Sequence, residues 1–225
     1  YRIENKTIIL GVCFSVCSFC LNFYGETMKK LFTYLFLTFF SILAPTFADD
    51  IRDLQIEGIS IGDSLLDYLS KEEIIKELEI TKSYYNYLNN DFGEVYSFNK
   101  FETYNHLSFK IKPKDKDYII YSIKGSILYD DKLEQCFTKQ KQIEREFSSN
   151  YKNAKKINGT YEFDWDPTGE SVSHNIEFNL VSGGKISTNC TKYKKSLKIE
   201  NGWSDTLQVI IDTKEVINWF NNPIN

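Results

Sequence analysis

The segment from Val172 to Tyr193 reads Val-Ser-His-Asn-Ile-Glu-Phe-Asn-Leu-Val-Ser-Gly-Gly-Lys-Ile-Ser-Thr-Asn-Cys-Thr-Lys-Tyr, and its pattern decides the fold class. His174, Ile176, Phe178 and Leu180 fall on one face of a first run. Ile186, Thr188 and Cys190 fall on one face of a second. Alternation with period two marks half-buried strands, and Ser182-Gly183-Gly184 between them marks a hairpin. Opposed residues of an antiparallel pair point to the same side. A two-residue loop would set Leu180 against Ser187 and mix the faces. A three-residue loop pairs Leu180 with Ile186, Phe178 with Thr188 and Ile176 with Cys190. Only the three-residue loop keeps the faces consistent, and Gly184 suits its left-handed position.

Strand patterns flank this hairpin on both sides. Upstream, Tyr161, Phe163 and Trp165 alternate with Glu162 and Asp164 until the turn Asp166-Pro167-Thr168-Gly169. Downstream, Leu207, Val209 and Ile211 share a face, and Asp212 with Glu215 is read as the cap of a last helix through Trp219. Before them, Leu133, Cys136, Phe137, Gln140, Ile143 and Phe147 recur at helical spacing within 131–148. The first half carries strand formers at 94–98, 106–112 and 118–129, the last interrupted by Gly125. It opens with Ile56, Ile59 and Ile61 in an extended entry. Asp63 or Ser64 then caps a short helix, and Ser70 to Glu73 has capping-box spacing before a second one. The order predicts an α+β protein with helices packed on antiparallel sheet. Helix-then-meander occurs twice, so residues 49–225 are read as a single mature α+β domain in which two lobes, 49–130 and 131–225, are possible.

The N-terminal 48 residues read differently. Met28 is followed by Lys29 and Lys30, an uncharged stretch from Leu31 to Leu43, and Ala44-Pro45-Thr46-Phe47-Ala48. A basic start, an apolar middle and a small-residue end describe a secretory signal over 28–48, with the mature chain starting at Asp49. Residues 1–27 are expected to be read-through from upstream of the start codon. A second uncharged run from Ile8 to Tyr24 leaves a transmembrane hairpin as the alternative, although a span needs about 20 apolar residues.

Trimming changes what the composition says. The whole chain has 27 Lys+Arg against 31 Asp+Glu, a net charge of −4. The leader takes away Arg2, Lys6, Lys29 and Lys30 but only Glu4 and Glu26, so the remainder is more acidic still. That argues against a nucleic-acid partner, and the lysine clusters at 110–116 and 192–198 read as solvated loop and strand faces. Cys13, Cys17 and Cys20 leave with the leader. Cys136 and Cys190 remain, and two cysteines in an exported domain predict one disulfide between them. With them committed, His106 and His174 leave little for a metal site, and no phosphate-binding glycine loop is present, so neither metal nor cofactor is expected.

Gly62-Asp63-Ser64-Leu65 spells the first signature block of the GDSL esterases and lipases, after an apolar entry as in that family. The resemblance implies a nucleophilic Ser64, which needs a histidine base oriented by an acid. The later blocks depart from the family: Asn89-Asn90-Asp91 lacks its glycine, and neither His106 nor His174 follows an aspartate three residues earlier. Capping by Asp63 or Ser64 explains the same letters. Asp164-Trp165-Asp166 offers a carboxylate pair whose simplest reading is solvation. The stretch from Ile56 to Tyr68, with one cysteine in the long helix and another on a later strand, resembles exported proteins of AT-rich marine bacteria of the Pelagibacter type. That resemblance implies export and no particular activity. Together these readings expect an exported, periplasmic, non-enzymatic binding or envelope-associated module, its partner an envelope protein or a small ligand. A Ser64 esterase is the alternative.

Overall fold

The computed structural model describes residues 50–84, 91–99, 101–130 and 132–222. The expected signal at 28–48, the read-through at 1–27, Cys13, Cys17, Cys20 and the segment 89–90 lie outside the described residues.

The chain enters through a small hairpin of β1 (Gln55–Ile56) and β2 (Ile59–Ser60). Its two-residue turn holds Glu57 at φ 54° and Gly58 at φ 79°, the left-handed pair that matches strand twist. A 3₁₀ turn over Leu65–Asp67 leads to helix α1 (Lys71–Tyr84). The capping box forms as expected: Ser70 Oγ accepts from Glu73 N at 3.3 Å, and Glu73 Oε2 accepts from Ser70 N at 2.8 Å. Strands β3 (Gly93–Ser97), β4 (His106–Ile111) and β5 (Ile120–Asp130) follow. Helix α2 (Leu133–Asn150) then separates them from β6 (Lys155–Glu162), β7 (Val172–Asn179) and β8 (Lys185–Lys192). The chain ends with helix α3 (Lys195–Asn201), β9 (Asp205–Asp212) and helix α4 (Lys214–Asn221).

The strands of the two helix-plus-meander halves form one sheet. Its order is β3-β4-β5-β9-β8-β7-β6, antiparallel throughout, with β9 inserted between the meander of each half. Both meanders carry an apolar face, and β9, whose Leu207, Val209 and Ile211 are each at most 1% exposed, joins the two into one core. Ile211 opposes Ile123 on one side and Ile186 on the other, and Leu207 opposes Ile127 and Cys190. Leu107, Phe109, Val95 and Phe178 extend the same face.

The central hairpin has three loop residues, but its register lies two residues from the expectation. Phe178 opposes Ile186, Ile176 opposes Thr188, and His174 opposes Cys190. The loop is Val181-Ser182-Gly183, closed by Leu180 N donating to Gly184 O at 2.9 Å. Gly183, at φ 90°, is the left-handed residue. Gly184 is needed for another reason: a Cβ there would meet Ile51 at 2.9 Å and the Asp212 carbonyl at 3.3 Å. A shift of two preserves the faces, which is why the pattern alone could not separate the two registers. Three further corrections concern local chemistry. The last helix is capped by Thr213, whose Oγ1 accepts from Val216 N; Asp212 instead accepts a bond from Ser122 Oγ at 2.7 Å. Part of the lysine cluster after β8 forms helix α3, ended by Gly202 at φ 66°. Lys110 is buried rather than solvated.

Helix α2 lies on the apolar face and is bonded to it. Cys136 and Cys190, both fully buried, form the expected disulfide, with Cα atoms 6.0 Å apart across a separation of 54 positions. One turn further along α2, Gln140 Nε2 donates to the carbonyls of His174 at 2.8 Å and Thr188 at 2.9 Å. Closing a loop of this length removes conformations from the unfolded chain and contributes about 4 kcal/mol. The double variant C136A/C190A of the form starting at Asp49 should lose about that much stability in urea titration. Thiol titration of the denatured, unreduced wild type of that form should find no free cysteine.

Candidate functional site

Side chains alternate across a strand, so the register that builds the core also builds the opposite face. That face is largely polar, with Ile210 and Ile157 set singly into it. Glu94, Ser108, Lys110, Ser122, Lys124, Ser126 and Asp212 occupy it on one half, and Gln208, Ser187, Asn189, Thr191, Ser173 and Asn175 on the other. Antiparallel sheets commonly keep one face toward water. Here α2 covers the apolar side, while α4 reaches only one end of the polar one, where the Phe220 ring centroid lies 5.2 Å from Lys110 Nζ.

The charged end is internally matched. Glu94, fully buried, accepts at Oε1 from Ser108 Oγ at 2.7 Å and from Lys124 Nζ at 2.9 Å. Burial opposes its ionisation, but Lys124 and Lys110 outweigh that and bring its pKa down to about 2. Lys110 is itself pushed down by burial, with Glu94 pulling the other way.

Beside this end runs a row of uncharged hydrogen-bonding groups at right angles to the strands. His106 opposes Ser126, Ser126 opposes Gln208, Gln208 opposes Asn189, and Asn189 opposes Asn175. Burial, and then Lys124, lower the His106 pKa, which favours the neutral imidazole. Ser126 is fully buried, and neither its Oγ nor Asn189 Oδ1 has a hydrogen-bond partner. Aromatic rings bound the row. At one end Phe98, 71% exposed, lies over Tyr96 and beside His106. At the other, the Tyr161 ring leans over Gly159, the residue opposite Asn175; a Cβ at Gly159 would meet that ring at 3.0 Å. Beyond Tyr161, Phe163, Trp165, Tyr193 and Trp203 form a surface cluster, with Phe163 and Trp165 stacked at 4.6 Å.

The residues singled out from the sequence sit elsewhere. Every letter of the Gly62–Leu65 motif has a structural task. Gly62 takes φ 92°. Asp63 Oδ2 accepts from Ser60 N at 2.9 Å and from the Tyr68 hydroxyl at 2.7 Å; burial and that carboxylate push the Tyr68 pKa up to about 12. Ser64 Oγ accepts from Leu66 N and donates to the Asp117 carbonyl at 2.6 Å, and Leu65 is fully buried. The Ser64 hydroxyl is thus engaged with backbone on both sides. His174 lies on the helix side of the sheet, with Nδ1 3.0 Å from Thr160 Oγ1 and its ring edge-on to Phe137. Asp166, expected to be solvated, is buried in its turn, holding the amides of Thr168 and Ser171 and the Thr168 hydroxyl, bonds that lower its pKa. Among the described residues no group of three or more His, Cys, Asp or Glu side chains could hold a metal ion.

The polar row escaped the sequence reading because its members come from five strands. Asn, Gln and Ser at outward positions look like ordinary solvated residues until register aligns them. No family model, curated protein or solved structure matches the chain.

Glu94 gives this site its pH signature. A carboxylate held below its ordinary value stabilises the fold fully above about pH 4.5, and that contribution disappears as pH falls toward 2. Glu94→Gln should cost about 3 kcal/mol at neutral pH, because it leaves Lys124 and Lys110 uncompensated. The variant should also lose much of the wild type's slope of stability between pH 4.5 and 2. Urea titrations across that range check both.

Proposed function

We propose that residues 49–225 are an exported, periplasmic binding module that acts without catalysis and presents the polar face of its sheet to a ligand or envelope partner. The observation that carries this reading is the uncharged row from His106 to Asn175, whose outer members are half-buried rather than covered by a helix. A domain that needed this face only for solubility would favour mixed charges there. Two features support export: the leader pattern at 28–48, and a disulfide, which persists in oxidising compartments. Among the described residues no helix is long and apolar enough to cross a membrane.

A serine esterase using Ser64 is the rival. The bonds of Ser64 to Leu66 and Asp117 support the capping role instead. Two measurements test the proposal. N-terminal sequencing of protein exported by a Gram-negative host should begin at Asp49 or within a residue or two; a product that keeps residues 1–26 would point to a membrane hairpin. Short-chain nitrophenyl esters should be hydrolysed no faster by wild type than by Ser64→Ala, and serine-dependent turnover would overturn the binding-module reading.

A further inference from the structure

We propose that the row from His106 to Asn175 is a binding site for a neutral oligosaccharide, laid across the strands of the polar face. The inference rests on the binding-module reading and gives it a ligand class. Strands lie about 4.8 Å apart, so the four steps from His106 on β4 to Asn175 on β7 span about 19 Å, room for several pyranose rings. The groups along it are imidazole, hydroxyl and carboxamide. These both donate and accept, as sugar hydroxyls do. Aromatic rings stand at the two ends, Phe98 beside His106 and Tyr161 beside Asn175, where the apolar C–H faces of sugar rings can pack.

Two polar atoms on this row, Ser126 Oγ and Asn189 Oδ1, lack partners although buried. Leaving such a group unsatisfied costs about 1–3 kcal/mol, and native proteins rarely do so without a use for it. Gln208 stands between them, opposite both. Sugar hydroxyls entering the row can bond to these two atoms and to the carboxamide of Gln208 between them.

The surroundings argue against other ligands. Charges adjoining the row are already matched, Glu94 by Lys124 and Glu177 by Lys185 at 3.9 Å. An anionic polymer therefore finds no free cationic row, and the chain is net acidic. An extended peptide gains its affinity from backbone pairing along a sheet edge and apolar pockets. This row runs across the strands, and in the adjoining row from Ser108 to Ile157 the apolar Ile210 and Ile157 are separated by Ser187 and Glu177, so they form no continuous apolar pocket.

The test uses the exported, oxidised protein, titrated with cellohexaose, maltohexaose and N-acetylchitohexaose by calorimetry and by amide NMR shifts. At least one should bind and shift Gln208 and Asn189 resonances. Gln208→Ala and Asn189→Ala should each weaken it about tenfold, the loss of one well-made polar contact. Tyr161→Ala, an exposed rim change that leaves the core intact, should weaken it too. Lys141→Ala, on the outer side of α2, should not. Failure of all three sugars at millimolar concentration, or binding indifferent to these three rim and row substitutions, would overturn the proposal. If the sugars fail but phosphatidylglycerol vesicles shift the same resonances, the sugar class falls and the binding module stands. If no probe shifts that face and Ser64-dependent ester turnover appears, both fall.

Discussion

The pairing of β5 with β9 is the constraint on which the rest of the molecule depends. It joins two meanders made by distant parts of the chain, and its register fixes the faces on both sides at once. Ile123 against Ile211 and Ile127 against Leu207 place the apolar set under α2, so Ser122 with Asp212 and Ser126 with Gln208 must point the other way. A one-residue slip would put Ser126 and Gln208 into the core and expose the isoleucines. Gly125 marks how tightly this pair is packed, since a Cβ there would meet the Tyr104 ring at 2.5 Å. The Tyr104 segment is held in turn by Glu57, whose carboxylate accepts from the amides of Glu102, Thr103 and Tyr104. The small N-terminal hairpin therefore braces the centre of the sheet.

The disulfide and the polar face are complementary consequences of that arrangement. Helix α2 supplies the cover over the apolar face of the central strands, so it must be fixed there firmly. Cys136–Cys190 and the two bonds of Gln140 to strand carbonyls tie it at consecutive turns. With the core secured on one side, the other can carry groups chosen for something besides burial. Ser108, Ser122 and Ser126 are small enough to be shielded by the longer Lys, Gln and His side chains around them. The face is therefore ordered without a helix over its middle.

Much of the fold was legible in the sequence because each element had a local cause. Period two gave the strands, the spacing from Leu133 to Phe147 gave the long helix, and Ser70 with Glu73 gave a helix start. The two cysteines outside the N-terminal leader pattern gave the disulfide. What escaped was whatever depends on contacts distant in the chain. The choice of Gly183 over Gly184 for the left-handed turn position follows from Ile51 packing on Gly184, more than a hundred residues away in sequence. The fusion of two meanders follows from the insertion of β9. Asp212 looked like a helix cap until Ser122 claimed it. For the candidate site, the motif visible in one dimension, Gly62 to Leu65, proved to be a turn, a brace, a cap and a core residue. The row visible in three dimensions has no one-dimensional signature.

Strand β6 closes the sheet with an unshared side. Among the described residues it pairs with β7 alone, and most of its residues are exposed. Such an edge offers unpaired backbone groups to any other extended chain, including a second copy of this protein. The strand opens with Lys155 and Lys156, and Lys156 reaches back to Glu144 on α2. Lysines on an edge strand must give up water when a second strand pairs there, which makes edge-to-edge pairing costly. Charge at the start of β6 thus works against edge-to-edge pairing through this strand.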